Sequence, residues 1–427
     1  MIPHSSTFDI ETQRLDWIKD NPHVCITAYQ EFQYNQNQKK PCCYYQGGPI
    51  IDGSMTATVT NNIESGRIDL NCKICRVQEN NNQLSHRVRD LLDASTEKLT
   101  KFINTKKVNE FTLTLIASNK CNMACRTCKP SLSSLFAQLV DDKAFMIPST
   151  ISDNSVQWTN MQNDIRAGVE QYEIYRITVL GGEGTVQDDL FKLLNWLIEE
   201  QLSNKITLTI GTNGSVFLKE QYKLWCQQFK SVTFAISIDG VHDNSYYVRW
   251  PVKFDKLHQN LKDFTELVKT YNNCHYYLTP TFYVNNICYV KEYLDYFELI
   301  AQTGYIVAMH DNTLFNPEYY SIRNLPTYIK KQIHPQLESV LNTDYRVLTH
   351  NNVFKISLIN LAKQLEQNLE QSPAELLKQQ GIWQKYLEET AWWDHKTNTS
   401  ITVQNSQLWA MLSKDDQELY YTYYNQL

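Results

Sequence analysis

No stretch of this 427-residue sequence is apolar over the length that a membrane-spanning helix needs. The first residues, MIPHSSTFDIETQRLDW, have neither a basic start nor an apolar stretch, so they do not read as a secretion signal. The 40 Lys and Arg residues are spread along the chain without a dense basic block, and the net charge is -6. The sequence therefore gives no support to a nucleic-acid partner. We expect a cytoplasmic protein without a membrane partner.

The composition is that of a globular protein. Hydrophobic residues make up 42% of the chain, aromatic residues 12% and charged residues only 20%. Eleven cysteines in a cytoplasmic protein would be kept reduced, so clustered cysteines indicate metal ligation or redox chemistry rather than disulfides. Eight of them cluster along the sequence: Cys25, Cys42, Cys43, Cys72, Cys75, Cys121, Cys125 and Cys128.

Strand and helix patterns alternate through the middle of the chain. Strands are predicted at 111–117, 175–180, 206–210, 232–238, 276–284 and 305–309, each followed by a helical pattern. Strand-helix units in series predict a parallel sheet with helical crossovers. We therefore predict an α/β fold built on a partial (β/α)6 TIM-type barrel, because six units are too few to close eight strands.

Two flanking regions differ from this barrel. The N-terminal residues are irregular and rich in Asn, Gln and Gly, with a strand-like piece at 24–29 and a predicted helix over 83–105. From about residue 354 onward the pattern is helical, without a strand signal. The sequence thus predicts three parts: a small Cys-rich module with its linker helix over 1–105, the barrel over 106–345, and a C-terminal helical extension over 346–427 that packs on the barrel.

The strongest chemical signal follows the first barrel strand. Cys121, Cys125 and Cys128 lie in one loop, and soft thiolates select iron-sulfur clusters or zinc. A structural zinc site would normally be closed by a fourth Cys or His, and this loop contains no His. Three local thiolates instead leave one iron of a four-iron cluster without a protein ligand. The loop therefore favours a 4Fe-4S cluster, with structural zinc as the alternative.

This CxxxCxxC spacing at the end of a first barrel strand resembles the radical S-adenosylmethionine superfamily. The resemblance implies a 4Fe-4S cluster whose open iron takes the amino and carboxylate groups of S-adenosylmethionine. It also implies that an electron from the cluster breaks the C5'-S bond and gives a 5'-deoxyadenosyl radical. The segment Gly181, Gly182, Glu183, Gly184 is similar to the family's GGEP segment, which holds the amino group, with Gly184 in place of Pro.

Further family positions follow at the next strand ends. Asn213, Ser237 and Asp239 fall where the family places contacts to cofactor and substrate, and Arg249 resembles the arginine that pairs with the methionine carboxylate. Structural interpretations stay open for several of these residues: Glu183 as a solvated residue at a helix start, and Arg249 as a side chain stacked on Trp250. The order of the whole set, each just beyond a strand, is what favours a cofactor site.

The N-terminal cysteines resemble the twitch module, a half-size relative of the SPASM module, placed here before the barrel. The resemblance implies an auxiliary 4Fe-4S cluster closed by four ligands: Cys25, Cys42 or Cys43, Cys72 and Cys75. A closed cluster would serve electron transfer. A zinc knuckle is the alternative, since cysteine spacing does not name the metal.

Three cysteines and an aromatic pair remain. Cys226 lies at helical spacing from Tyr222 and is interpreted as a core residue, whereas Cys288 or Cys274 could donate a hydrogen atom to a substrate radical. We take Cys288 as the catalytic candidate. The pair Trp392 and Trp393 either lines a substrate entrance or docks the terminal helices.

The functional expectation is a radical enzyme that removes hydrogen from an unactivated carbon. A ribosomal peptide or protein is the favoured substrate, and a dehydrogenase or epimerase of a sugar or other small molecule is the alternative. The resemblance further implies a flavodoxin- or ferredoxin-type electron donor. A hypothesis of another class is a non-catalytic iron-sulfur electron carrier.

Overall fold

The computed structural model describes residues 7–35, 38–42, 44–47, 54–80, 84–116, 118–141, 156–302, 308–309, 312–366 and 372–427. Within these ranges, none of the helices combines the length and the apolar character required to cross a bilayer.

The strands form one large sheet and two short pairs. They are β1 (Glu31–Asn35), β2 (Gln38–Lys40), β3 (Glu110–Ile116), β4 (Ala124–Cys125), β5 (Ile174–Leu180), β6 (Ile206–Thr212), β7 (Ser231–Ser237), β8 (Arg249–Trp250), β9 (Cys274–Thr279), β10 (Thr281–Phe282), β11 (Ala308–Met309) and β12 (Asn312–Thr313). The large sheet has the order β11-β9-β7-β6-β5-β3-β1-β2, while β10 pairs with β12 and β4 with β8. All neighbours in the large sheet are parallel except β1 and β2.

The predicted partial barrel is confirmed. Strands β3, β5, β6 and β7 follow the predicted positions, and β11 covers the described end of the sixth predicted strand. The fifth predicted strand, 276–284, is divided between β9 and β10, and only β9 belongs to the large sheet. Most Val, Ile and Leu side chains of these strands are buried, as expected when helices cover a parallel sheet, whereas Leu180 at the end of β5 is exposed. The carboxyl ends of the parallel strands therefore share one edge, which is where the candidate site residues lie.

The helices are α1 (Thr7–Asp20), α2 (Thr27–Gln30), α3 (Ser54–Glu64), α4 (Lys73–Asn80), α5 (His86–Asp93), α6 (Thr96–Thr105), α7 (Ser134–Leu139), α8 (Val156–Gln171), α9 (Asp188–Glu199), α10 (Lys219–Gln228), α11 (His242–Val248), α12 (Phe254–Thr270), α13 (Val290–Ala301), α14 (Thr327–Leu341), α15 (Arg346–Thr349), α16 (Asn352–Glu366), α17 (Pro373–Thr397), α18 (Ile401–Gln404), α19 (Ser406–Met411) and α20 (Lys414–Tyr424). Those that follow the barrel strands pack on the sheet in one hydrophobic core.

The N-terminal segment differs from its prediction in two places. The prediction of a strand at 24–29 is wrong, because α2 begins at Thr27 and strand β1 begins only at Glu31. The Val24 carbonyl forms its hydrogen bond with α5 rather than with a neighbouring strand, because Arg87 donates to it at 2.9 Å. The predicted helix over 83–105 is two helices, because Ser95 caps α6 by accepting from the Lys98 amide.

The N-terminal segment also extends the barrel sheet. Strand β1 pairs in parallel with β3, from Glu31 beside Thr112 to Asn35 beside Ile116. The predicted boundary between residues 105 and 106 stays a prediction, but the sheet itself runs across it.

The predicted helical character of the C-terminal region is confirmed by α16 to α20. Leu358, Leu361 and Leu365 of α16 are buried, and Tyr386 and Leu387 of α17 belong to the same hydrophobic core as the barrel strands. This region therefore packs on the barrel.

Candidate active site and cofactor-binding residues

The cysteine loop is held against the end of the barrel by a short strand pair. Cys125 lies in β4, which pairs antiparallel with β8 so that Cys125 faces Arg249 in the register. The Cys128 amide donates to the Cys125 carbonyl at 2.9 Å, which closes the turn between these two cysteines. Cys125 is buried, whereas Cys121 and Cys128 are half-buried. The structure thus keeps all three predicted ligands in one folded loop.

Arg249 is a buried cation beside the cysteine loop. Burial raises the pKa of the Cys121 and Cys125 thiols and raises that of Cys128 to about 11, while the Arg249 guanidinium lowers all three. A positive charge beside the thiols favours the thiolate, which is the form that binds metal. Arg249 is itself buried and its Nη1 donates to Asp239 Oδ2 at 2.6 Å. Arg249 is therefore an ion-pair partner rather than a side chain stacked only on Trp250.

Asp239 is fixed at the end of β7. Its other carboxylate oxygen accepts from the Thr281 amide at 2.7 Å, and its carbonyl accepts from Asn286 Nδ2 at 2.7 Å. Ser237, at the last position of β7, accepts from the Thr279 hydroxyl at 3.2 Å. Asp239 thus orients Arg249, and both lie on the same side of the barrel as the cysteines.

Glu183 is fully buried, so its interpretation as a solvated residue is wrong. Its carboxylate accepts from the Thr185 amide at 3.1 Å and hydroxyl at 2.6 Å, from the Thr212 hydroxyl at 2.8 Å and from the Asn213 amide at 2.5 Å. These bonds compensate for the desolvation of the charge. The Glu183 amide also donates to the Lys120 carbonyl at 2.9 Å, which joins this segment to the cysteine loop.

Gly181 and Gly182 make that close approach possible. Both have a left-handed backbone, with φ of +82° and +57°. A Cβ at Gly182 would lie 2.4 Å from the Lys120 carbonyl oxygen, immediately before Cys121. The segment therefore needs glycine both for its backbone conformation and for its contact with the loop.

We expect Gly182→Ala to lower bound iron per chain and to destabilise the fold by roughly 1–3 kcal/mol, because the clash pushes Lys120 away. Chemical denaturation and iron analysis measure the two effects. Gly66→Ala is a matched control: Gly66 has φ of +69°, but a Cβ added there would meet no atom of the described residues within 4 Å. Equal losses in the two variants would mean that only the backbone conformation matters and that the contact with Lys120 does not.

Asn213 joins the end of β6 to the cysteine loop. Its Nδ2 donates to Asn122 Oδ1 at 2.8 Å, and Asn122 Nδ2 donates to the Ser215 hydroxyl at 2.9 Å. Asn122 was not among the predicted site residues, although it lies directly after Cys121 in the motif. Gln187 was also missed: its Nε2 donates to the carbonyls of Lys120 at 3.1 Å and Gly181 at 3.0 Å.

The largest omission from the sequence prediction is a buried ion pair. Arg126, between Cys125 and Thr127, donates from Nη2 to Asp394 Oδ1 at 2.5 Å, and both side chains are at most 1% exposed. Asp394 also accepts from the Tyr420 hydroxyl at 2.8 Å. The C-terminal helices are thus bonded directly to the cysteine loop. The two residues are 268 positions apart in the sequence, so no local sequence pattern predicts this ion pair.

The N-terminal cysteines meet at one cavity. Cys25, Cys42, Cys72 and Cys75 all line it, while Cys43 lies outside the described residues. Burial, together with neighbouring cysteines of this set, raises the pKa of Cys25 to about 11 and that of Cys72 to about 12. Four of the predicted ligands are therefore brought together from separate segments of the chain, which sequence spacing alone does not guarantee.

The other cysteines lie in the barrel core. Cys288 is buried within the main hydrophobic cluster, and burial raises its pKa. Cys226 and Cys274 are buried free thiols whose side chains share a hydrogen bond. The packing of Cys226 agrees with its interpretation as a core residue. A hydrogen-donor role for Cys288 stays a prediction.

Residues 115–297 match the family model described as Radical SAM superfamily. The matched segment covers less than half of the chain and is similar to a radical SAM domain, a class composed generally of enzymes. Such a domain implies S-adenosylmethionine and a 4Fe-4S cluster. The match spans the cysteine loop, Glu183, Asp239 and Arg249.

Solved structures resemble the chain only weakly. One is "Native anSMEcpe with bound AdoMet", with 19% identity over 54% of this chain and 61% of that chain and a TM-score of 0.37. Another is SuiB from Streptococcus suis bound to S-adenosylmethionine, with 14% identity over 62% of this chain and 65% of that chain and a TM-score of 0.25. The chain thus spans about three fifths of the length of these structures. Likeness at this level carries no argument about substrate. No curated protein matches the chain.

Proposed function

We propose that this protein is a radical SAM enzyme that reductively cleaves S-adenosylmethionine and removes a hydrogen atom from a peptide or protein substrate. The observation that carries the proposal is the cysteine loop with Arg249 beside all three thiols, inside a domain that matches the superfamily. Cys121, Cys125 and Cys128 would hold the 4Fe-4S cluster. When bound, the reduced cluster supplies the electron that breaks the C5'-S bond.

The residues around the loop fit the methionine portion of this cofactor. Arg249 Nε is buried and has no hydrogen-bond partner in the described part of the chain, so a carboxylate there would satisfy a cationic donor. Glu183 supplies a buried negative charge beside Asn213, near the Lys120 end of the loop. Since the Glu183 oxygens already accept four bonds, we assign it to organising the strand ends as well as to attracting an ammonium group.

The four cysteines at the N-terminal cavity support an auxiliary metal site. Cys75 raises the pKa of Cys25, and Cys25 and Cys75 raise the pKa of Cys72, so a bound cation would remove an unfavourable interaction among these thiolates. We propose that Cys25, Cys42, Cys72 and Cys75 hold a second 4Fe-4S cluster, with zinc as the competing occupant. A cluster closed by four protein ligands suits electron transfer, since it leaves no iron open to substrate.

The test is formation of 5'-deoxyadenosine. We expect the reconstituted protein to release it from S-adenosylmethionine once dithionite is added, with no peptide present. Methionine measured alongside should appear in equal amount. A fully iron-loaded protein that yields neither product would make the chain an iron-sulfur electron carrier instead, and the enzyme proposal would be wrong.

A further inference from the structure

A second cavity lies between the cysteine loop and the C-terminal helices. Its walls include Cys128 and Arg126 from the loop, Phe136 of α7, Tyr320, and Trp392 and Trp393 of α17. We call it the Trp groove. It borders a cysteine proposed to hold the cluster, so a molecule bound in it lies next to the reactive centre.

Two residues that line the Trp groove each carry a buried donor without an acceptor among the described residues. Arg126 Nε donates to the Tyr247 carbonyl at 2.9 Å and Nη2 donates to Asp394 and Thr399, but Nη1 has no partner there. The Tyr320 hydroxyl is likewise buried without a partner in this part of the chain. Arg126 also lowers the pKa of Tyr320 against the effect of burial, so the two groups interact. A bound acceptor would satisfy both donors.

The charge of the groove decides what kind of acceptor fits. The Arg126 cation is already compensated by Asp394 at 2.5 Å. At the rim, Lys385 lies 3.0 Å from Glu388 and 3.1 Å from Glu389, which leaves an excess of negative charge. A carboxylate or phosphate would be repelled there, whereas an uncharged carbonyl oxygen would not.

The walls add an apolar requirement. Phe136 and Trp393 lie 4.7 Å apart between ring centroids, and Trp392 meets Trp393 edge to face at 5.4 Å. Such a surface binds an aromatic or large apolar group most favourably, because that group buries the most apolar area against it.

We infer that the Trp groove binds an aromatic residue within a peptide chain, whose backbone carbonyl oxygen accepts from Arg126 Nη1 and the Tyr320 hydroxyl. This inference rests on the proposed function and names the substrate class of the same site. It also assigns Trp392 and Trp393 to the substrate entrance, one of the two interpretations open from the sequence.

The probe is N-acetyl-L-phenylalaninamide, compared with the free acid N-acetyl-L-phenylalanine by saturation-transfer NMR titration on the reconstituted full chain. We expect the amide to bind about ten-fold more tightly than the acid. Tyr320→Phe should weaken the amide about five-fold, because it removes one hydrogen bond and keeps the ring. Tyr271→Phe is the matched control, since Tyr271 lies outside the groove and bonds to Gln227 at 3.4 Å.

The double variant Glu388→Gln and Glu389→Gln should bring the affinity of the acid close to that of the amide. The inference is overturned if the acid binds as tightly as the amide to the unmodified protein, or if Tyr320→Phe leaves the affinity unchanged. Measuring 5'-deoxyadenosine formation on the same unmodified preparation separates the two proposals. Cleavage without amide binding rejects the groove alone, and amide binding without cleavage rejects the enzyme.

Discussion

Replacing Cys121, Cys125 and Cys128 together by alanine is expected to abolish 5'-deoxyadenosine formation and to leave about four of roughly eight irons per chain. The three thiolates are the protein ligands proposed for the reactive cluster. Arg249 cannot replace them, because a guanidinium cation does not coordinate iron. The N-terminal cysteines line a separate cavity, so the metal proposed there should survive. Product chromatography and iron and sulfide analysis measure both effects.

Cys226→Ala is the control for this experiment. Cys226 is a buried core cysteine on α10, and its replacement should leave both iron content and cleavage close to those of the unmodified protein. Near-zero residual iron in the triple variant would contradict a second cluster, and zinc in its place would identify the competing occupant. Undiminished product from the triple variant would reject the proposed cluster ligands.

Breaking the buried ion pair between Arg126 and Asp394 is expected to have a large effect on stability. Arg126→Met and Asp394→Asn should each lower the free energy of unfolding by about 3–5 kcal/mol, because each leaves an uncompensated charge or donor in the interior. The double variant should lose clearly less than the sum, since neither partner then remains unpaired. Denaturant unfolding of the full chain, followed by tryptophan fluorescence, measures the three values.

Lys205→Met serves as the control, because the Lys205–Glu170 pair has a similar separation of 2.8 Å but is exposed. Its loss should be small, as is usual for surface pairs. Additive losses from the two buried substitutions would show that Arg126 and Asp394 do not stabilise each other, and the bond between the loop and α17 would then be energetically unimportant.

The sequence predicted the barrel well because its signals are local. Each of the strands β3, β5, β6, β7 and β9 is a short apolar run bounded by polar or turn residues, and such runs can be recognised without knowing their neighbours. The cysteine loop and Glu183 could be found because they immediately follow strands whose carboxyl ends meet at one edge.

The features that escaped prediction depend on contacts between distant segments. Arg126 looks like an ordinary polar residue of the motif, and only the folded chain shows that Asp394 bonds to it. The segment 24–29 has the composition of a strand, yet Arg87 of α5 donates to its Val24 carbonyl and the strand begins only at Glu31. Tertiary bonding of this kind overrides local propensity.

Strand β1 has a consequence for how this protein can be divided. It covers the outer edge of β3 with five parallel residue pairs, and Glu31 of β1 also accepts from the Thr114 hydroxyl at 3.1 Å. A fragment that begins at the predicted barrel boundary would uncover that edge, and open edges invite pairing with other chains. By covering this edge, the cysteine-rich segment should reduce aggregation of the barrel. A fragment designed to express the barrel should therefore begin before Glu31, so that β1 is included.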